Sequence, residues 1–404
     1  MRQYYRYYRT DRSGYRKGVP FETFRDMIYF DNSATTRVSS EAAQTALRYM
    51  TESFFNPSAA YTPSVQVERE VNSARNRIAS AFRMDPSELI FTSGGTESNN
   101  IALSGTLGAL RDKCRIITTA VEHPSVYEPV LSMKNKGYDV VIVGVNADGT
   151  VNETELREAL SANTGYVSIM HVNNEVGAIN DIDSLYALVK ETAPNAVFHS
   201  DGVQAFMKMQ PVKCDMYSFS GHKIHAPKGV GGLFVRKGVR FIGGQLGGGQ
   251  ENNLRSGTTN VPAIMGLDTA CTQYVKDREK NLESMRSVKL RLYNDLSRIR
   301  DVRLNGPAPD KGAPYILNMS FLGVRGEVLL HSLMDKGLLV STGSACAARH
   351  RGKNRILGAM GIIGDRQDGA IRFSFCPENT VQEADTAAQL IEDSLLVLRR
   401  FRRR

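Results

Sequence analysis

Apolar positions along the chain fall into two alternating rhythms. Between residues 63 and 83, Val67, Val71, Ala74, Ile78 and Ala81 recur three or four apart, the spacing of one helix face. Just beyond, Leu89-Ile90-Phe91-Thr92 is a short apolar run of the kind that fills a buried strand. It leads into Ser93-Gly94-Gly95-Thr96-Glu97 and a helix through Ile101 and Leu103. Further short apolar runs stand at 115–119, 140–145, 166–172 and 196–199, most of them separated by helical stretches. That alternation predicts parallel βα units in a doubly wound sheet, an α/β fold. After a glycine-rich stretch at 243–259 the texture changes. A long polar helical region over 276–300 is followed by strands at 316–321 and 371–375 and helices at 327–336 and 381–398. A second, smaller α/β domain is therefore expected over 281–398, with a large domain over 27–280.

Charge alters this picture only at the ends. The formal net charge of +9 is carried by residues 1–26 and by the five arginines within 399–404, so the body is formally neutral. Nucleic acid is thus expected to meet this chain only through its tails, and the body carries no mandate for phosphate backbones. Residues 1–26, rich in Tyr and Arg, read as a disordered extension, and Met27 is an alternative start. No apolar run is long enough for a membrane span, so no membrane partner is expected. The five cysteines, Cys114, Cys214, Cys271, Cys346 and Cys376, are odd in number, with no CxxC or zinc spacing. This pattern predicts a cytoplasmic enzyme without a metal site and with one reactive thiol.

Ligands in open α/β sheets bind beyond the carboxyl ends of the strands. The residues that follow the expected strands are Gly94-Gly95-Thr96-Glu97, Glu122-His123, Asn173-Asn174-Glu175, then Asp201 and Gln204. Ser220-Gly221-His222-Lys223 comes next. Singly, each has an ordinary structural reading. Together they meet the needs of pyridoxal 5'-phosphate: a lysine amine for its aldehyde, a carboxylate for the pyridine nitrogen, and donors for the phosphate. Lys223, Asp201 and the group Thr96, Ser220 and His222 fill these roles, with His123 as a ring to cover the pyridine.

These segments resemble the cysteine desulfurases, in the class V aminotransferase group of fold-type I pyridoxal phosphate enzymes. The matching stretches are YFDNSATT at 29–36, FTSGGTESN at 91–99, SIMHVNNEVG at 168–177 and SFSGHKIHAPKG at 218–229. RSGT at 255–258, STGSAC at 341–346 and IRFS at 371–374 follow in the family's order. The resemblance implies a large, mainly parallel sheet domain and a smaller α/β domain to which 27–40 contributes. It implies that Lys223 bonds the cofactor, Asp201 pairs with the pyridine nitrogen and Gln204 with the phenolic oxygen. His123 would stack on the ring and move protons. Gly95, Thr96, Ser220 and His222 would hold the phosphate, with Thr258 reaching it from the second subunit of a homodimer. Asn174 would lie by cofactor and substrate, and Arg372 would clamp the substrate carboxylate. Cys346 would take sulfur from L-cysteine, leaving L-alanine and a persulfide for an acceptor protein. The implied destinations of that sulfur are iron–sulfur clusters, thio-cofactors or tRNA.

Three features depart from the family's usual pattern. Arg349, Arg351, Lys353 and Arg355 follow Cys346, where many relatives have Ser and acidic residues. This run reads either as a solvated basic loop or as a field that favours the thiolate and guides an acidic acceptor. Asn56-Pro57-Ser58 has no histidine nearby. Residues 399–404 follow the last helix directly, so delivery to the standard iron–sulfur scaffold is not implied. Two other readings stand beside the main one. A selenocysteine lyase or class V aminotransferase would share most of the motifs, although aminotransfer has no use for Cys346. An inactive nucleic-acid-associated or regulatory homologue would use the basic tails.

Overall fold

The computed structural model of the chain describes residues 27–343 and 354–401. The expectations for residues 1–26, for Cys346 with Arg349, Arg351 and Lys353, and for 402–404 lie outside the described residues.

Strand β1 (Ile28–Tyr29) is followed by helices α1 (Ser40–Thr51) and α2 (Thr62–Ala81). Val67, Val71, Ala74 and Ile78 on α2 are buried, as their spacing predicts. Strands and helices then alternate: β2 (Leu89–Thr92), α3 (Gly95–Ala109), β3 (Arg115–Thr119), α4 (Pro124–Asn135) and β4 (Asp139–Val143). The alternation continues through α5 (Glu153–Ala159), β5 (Thr164–Ser168), α6 (Ile182–Thr192) and β6 (Val197–Asp201). With β7 (Met216–Ser220) and β8 (Gly231–Val235) they form a seven-stranded sheet of order β2-β8-β7-β6-β5-β3-β4. Pairing is parallel from β4 across to β7, and β8 runs antiparallel to β7 and β2.

Helices α7 (Val261–Lys276) and α8 (Arg278–Leu296) meet at Asp277, so the helical region predicted over 276–300 begins earlier and is broken there. Successive strand residues point to opposite faces. Ile117, Val167, Phe198 and Tyr217 pack with apolar residues of α1, α2, α6 and α7. Ile116, Tyr166, Val197 and Met216 pack on the other face with α3 and α4. The strand expected over 166–172 ends at Ser168, although the Ile169 and His171 amides still donate to the carbonyls of His199 and Asp201.

The sequence pattern does not mark β7 and β8 as strands. Both lie in glycine- and serine-rich text, and β8 opens on Gly231-Gly232. Its glycines are steric necessities. A Cβ on Gly231 would sit 2.4 Å from the Phe219 carbonyl oxygen and 2.7 Å from Gly94 Cα.

The remaining elements are β9 (Val302–Asn305), β10 (Ile316–Phe321), α9 (Gly326–Met334) and β11 (Leu338–Leu339). After these come α10 (Arg355–Ala359), α11 (Asp365–Asp368), β12 (Ala370–Ser374) and α12 (Val381–Leu398). β10 lies between β9 and β12, antiparallel to both, while β1 pairs in parallel with β11. Phe30, Leu292, Ile316, Phe373 and Ile391 are fully buried in the core beneath this sheet. Each such side chain stabilises the fold by about 2 kcal/mol, so Phe30 firmly ties the chain's first strand to its last elements. The loops after β5 and β6 meet this second core. Tyr315 Oη donates to the Gln204 carbonyl at 2.8 Å, and Asn318 Nδ2 donates to that of Glu175 at 3.1 Å.

Candidate active site

The carboxyl ends of β2, β5, β6 and β7 and the turn after β3 place the expected residues around one junction. β2 runs into Gly94, whose φ of 147° belongs to glycine, and Gly95 opens α3. A Cβ on Gly95 would lie 2.4 Å from Val203 Cγ2, and one on Gly94 would lie 3.4 Å from Ser220 Oγ. Glycine is required at 94 by its backbone angle and at 95 by Val203, and the turn they make lies against Ser220 at the end of β7. Thr96 stands exposed in the first turn of α3, where backbone N–H groups lack helical partners and favour an anion.

A chain of hydrogen bonds links Asp201 to His123. Asn99 Nδ2 donates to Asp201 Oδ2 and to Ser125 Oγ, both at 2.8 Å. Ser125 Oγ lies 2.7 Å from His123 Nδ1, and the Ser125 amide donates to the same nitrogen at 3.1 Å. Nδ1 is thus the acceptor, which assigns the neutral ring's proton to Nε2. His123 also caps α4. Burial first, then the charges of Lys223 and Arg355, draws its pKa below the ordinary value, against the pull of Asp201.

Lys223 follows β7 in a short 3-10 turn. Its Nζ donates to the carbonyls of Ser33 at 2.6 Å and Ala34 at 2.7 Å. Gln204 Nε2 donates to the same Ser33 carbonyl at 3.0 Å. His222 Nδ1 lies 3.1 Å from Thr35 Oγ1, and burial with the nearby lysines lowers its pKa to about 4. The YFDNSATT segment therefore lines the lysine. Arg372 on β12 is buried, with Nη2 on Asp31 Oδ1 at 2.6 Å and Nη1 on the Asn174 carbonyl at 3.0 Å. Its fork is already half engaged, and among the described residues Nε has no partner.

Thr258 stands exposed in the loop before α7, and among the described residues no hydrogen bond joins it to the others. Arg355 overturns the reading of a wholly solvated basic loop. It is partly buried, its guanidinium donates to the Ala120 and Glu122 carbonyls, and it lies 3.8 Å from the Tyr127 ring centroid.

Sequence reasoning gave no role to three residues here. Asn99 was quoted only as the last letter of a motif, although a polar residue on the sheet-facing side of α3 signals a buried partner. Glu122 is fully buried, accepts from the Met170 amide and Thr119 Oγ1, and is pushed up to about 8 by burial. Lys208 is 4% exposed, lies 4.4 Å from the Tyr315 ring centroid, and is drawn down to about 7 by burial and then by Lys223. Its only signal is a lone lysine in the apolar stretch 205–209.

The arrangement fits a phosphorylated pyridine aldehyde. Among the described residues, buried Asn174 Oδ1, Gln204 Oε1, Ser33 Oγ and Arg372 Nε have no hydrogen-bond partner. Buried polar atoms of this kind call for a polar ligand. The glycine turn, Ser220 and the start of α3 offer anion donors beside it.

The aminotransferase class-V family model matches residues 28–386. The chain belongs to this family. Its relatives there are cysteine desulfurases. It is 38% identical to the cysteine desulfurase of Trichormus azollae, over 92% of this chain and 94% of that one. It is 37% identical to cysteine desulfurase IscS of Klebsiella pneumoniae, over 92% and 93%. Among solved structures, a NifS-like protein superposes with a TM-score of 0.86 at 34% identity, covering 92% of this chain and 100% of its own. A structure described as SspA in complex with cysteine gives a TM-score of 0.76 at 30% identity, covering 86% and 99%.

Proposed function

We propose that this chain is a pyridoxal phosphate-dependent cysteine desulfurase that releases L-alanine from L-cysteine and carries the sulfur as a persulfide on Cys346. The observation that carries the reading is the convergence of Lys223 with the hydrogen-bonded line from Asp201 through Asn99 and Ser125 to His123. Cysteine as substrate is supported by the relatives' activity and by the cysteine bound to a structural neighbour.

The residues divide the work. Asp201, fixed by Asn99 and by the Val203 amide at 3.0 Å, offers a carboxylate to the pyridine nitrogen. Gly95, Thr96, Ser220 and His222 take the phosphate, and Gln204 the phenolic oxygen. Bound there, pyridoxal phosphate supplies an electron sink that loosens bonds at the substrate's α-carbon and, through it, at the β-carbon. Lys223 would hold the cofactor, and its amine, when free, would move the α-proton. His123, neutral with its proton on Nε2, covers the ring and can pass a proton. Arg372 turns its remaining N–H groups to the substrate carboxylate, and Asn174 Oδ1 lies beside it. The Cys346 thiolate attacks the substrate sulfur: an S–S bond forms, the Cβ–S bond breaks with its electron pair left on Cβ, and a proton taken up there completes alanine.

Thr258 acts from a second copy of the chain, so the enzyme works as a homodimer. A cytoplasmic location fits the four described cysteines, all free. The acceptor is a protein that takes the persulfide sulfur.

Turnover separates the roles. The Lys223→Ala protein, supplied with cofactor, is expected to lose the absorbance of the lysine–cofactor bond and all alanine formation. Cys346→Ala is expected to keep the absorbance and lose sulfide release. Full desulfurase activity in Cys346→Ala would move the chain to the lyase reading.

A further inference from the structure

We infer that Arg355 is a positioning residue for His123, an inference that rests on the reading of His123 as part of the reaction centre. The geometry is that of a brace. Arg355 is the first residue of α10, and its root is fixed by the residue before it. Asn354 Oδ1 caps α10 by accepting from the Leu357 amide at 3.0 Å, and Asn354 Nδ2 donates to Glu175 Oε2 at 2.7 Å. From there the guanidinium crosses to the turn between β3 and α4. Nη1 donates to the Ala120 carbonyl and Nη2 to the Glu122 carbonyl at 2.5 Å. The guanidinium carbon lies 3.8 Å from the centroid of the Tyr127 ring. Tyr127 stands one helical turn beyond His123, its amide bonded to the His123 carbonyl at 3.0 Å. One side chain therefore grips the backbone just before His123 and the ring one turn after it.

The charge acts in the same direction. Among the described residues no carboxylate lies within ion-pair distance of Arg355. Of the carboxylates whose charges it feels, Glu122 and Glu175 are pushed by burial toward the neutral form, and Glu128 is exposed, where solvent screens it. The cation faces carbonyl dipoles and a π-face instead, so its field reaches the imidazole. The groups that face His123 are Asp201 at the end of β6, Lys223 after β7 and Arg355 from α10. Asp201 favours the charged ring, while Lys223 and Arg355 favour the neutral one. A lysine at 355 would keep the charge and lose the planar fork that spans two carbonyls and stacks on Tyr127.

Arg355→Gln and Arg355→Lys, prepared as holoenzymes with matched cofactor content, separate geometry from charge. Two readouts apply: the titration midpoint of His123, followed by NMR in protein carrying 13C-labelled histidine, and kcat against KM for cysteine. In Arg355→Gln the midpoint should rise by about half a pH unit or more. Its kcat should fall about tenfold or more with KM changed less than about threefold. Arg355→Lys should hold the midpoint near that of the parent yet lose a comparable part of kcat. A parental midpoint together with a parental kcat in Arg355→Gln would overturn the inference, and so would full kcat in Arg355→Lys. If Arg355→Gln does not fold, the lysine variant still decides it. His123→Gln serves as the assignment control and as a separate check. Parental kcat there would refute the reading of His123 itself, while the His123 midpoint in Arg355→Gln still reports on Arg355.

Discussion

Glu122 is a carboxyl whose chemistry is strongly displaced by its surroundings. One oxygen is held by the Met170 amide and Thr119 Oγ1, and the other has no partner among the described residues. Burial raises its pKa from 4.5 to about 8, so the folded chain holds the proton more tightly than the unfolded chain. The stability this gives is complete below about pH 4.5 and is lost as pH rises toward about 8. Glu122→Gln keeps an oxygen for both donors and fills the orphaned position with a neutral amide. Its stability should therefore decline less than the parent's between about pH 5 and pH 8, by about 2–4 kcal/mol at the upper end. Thermal unfolding across that range checks this, and parallel curves for the two proteins would refute it. That Asp201 and His123 lie at one junction was legible in the sequence because each follows an apolar run, and Lys223 because Ser, Gly and His flank it in one motif. Asn99 and Lys208 were not, because what they touch lies on other elements far along the chain.

At the scale of elements, β8 shows why part of the sheet escaped sequence reading. A strand that begins Gly-Gly reads as a loop, yet the backbones of Phe219 and Gly94 leave no room for a Cβ at Gly231. The antiparallel strand thus presses on the turn proposed to hold phosphate. Gly231→Ala should move that turn, destabilise the fold by about 1–3 kcal/mol and shed cofactor faster on dialysis. Unchanged retention and an unchanged melting temperature would contradict this. By contrast, β2, β3, β10 and α12 were legible to the residue, since nothing distant overrides their pattern. α12 also signs its own start. The Thr380 hydroxyl accepts from the Glu383 amide, and Glu383 accepts from the Thr380 amide, at 3.2 and 2.8 Å. Thr380→Ala should cost about 1 kcal/mol, read as a small fall in melting temperature with activity intact.

At the scale of the whole molecule, the single chain leaves Leu246 93% exposed and Ile242 49% exposed in the glycine-rich stretch that leads to Thr258. Apolar side chains so placed, beside a residue proposed to act in a second copy, suit a subunit contact. Leu246→Asp should weaken the dimer in light scattering and lower cofactor affinity together. A stable dimer with parental affinity would show that this stretch is not the contact. The central claim, that the lysine-centred junction exists to move sulfur from cysteine to Cys346, has a more direct test. Holoenzyme treated with one equivalent of L-cysteine, without acceptor or reductant, can be digested and its thiols mapped by mass spectrometry. The account requires the peptide with Cys346 to gain one sulfur atom, alanine to appear in equal amount, and both to vanish in Lys223→Ala. Alanine formed with no added sulfur on Cys346, or sulfur gained equally at Cys376, would contradict it.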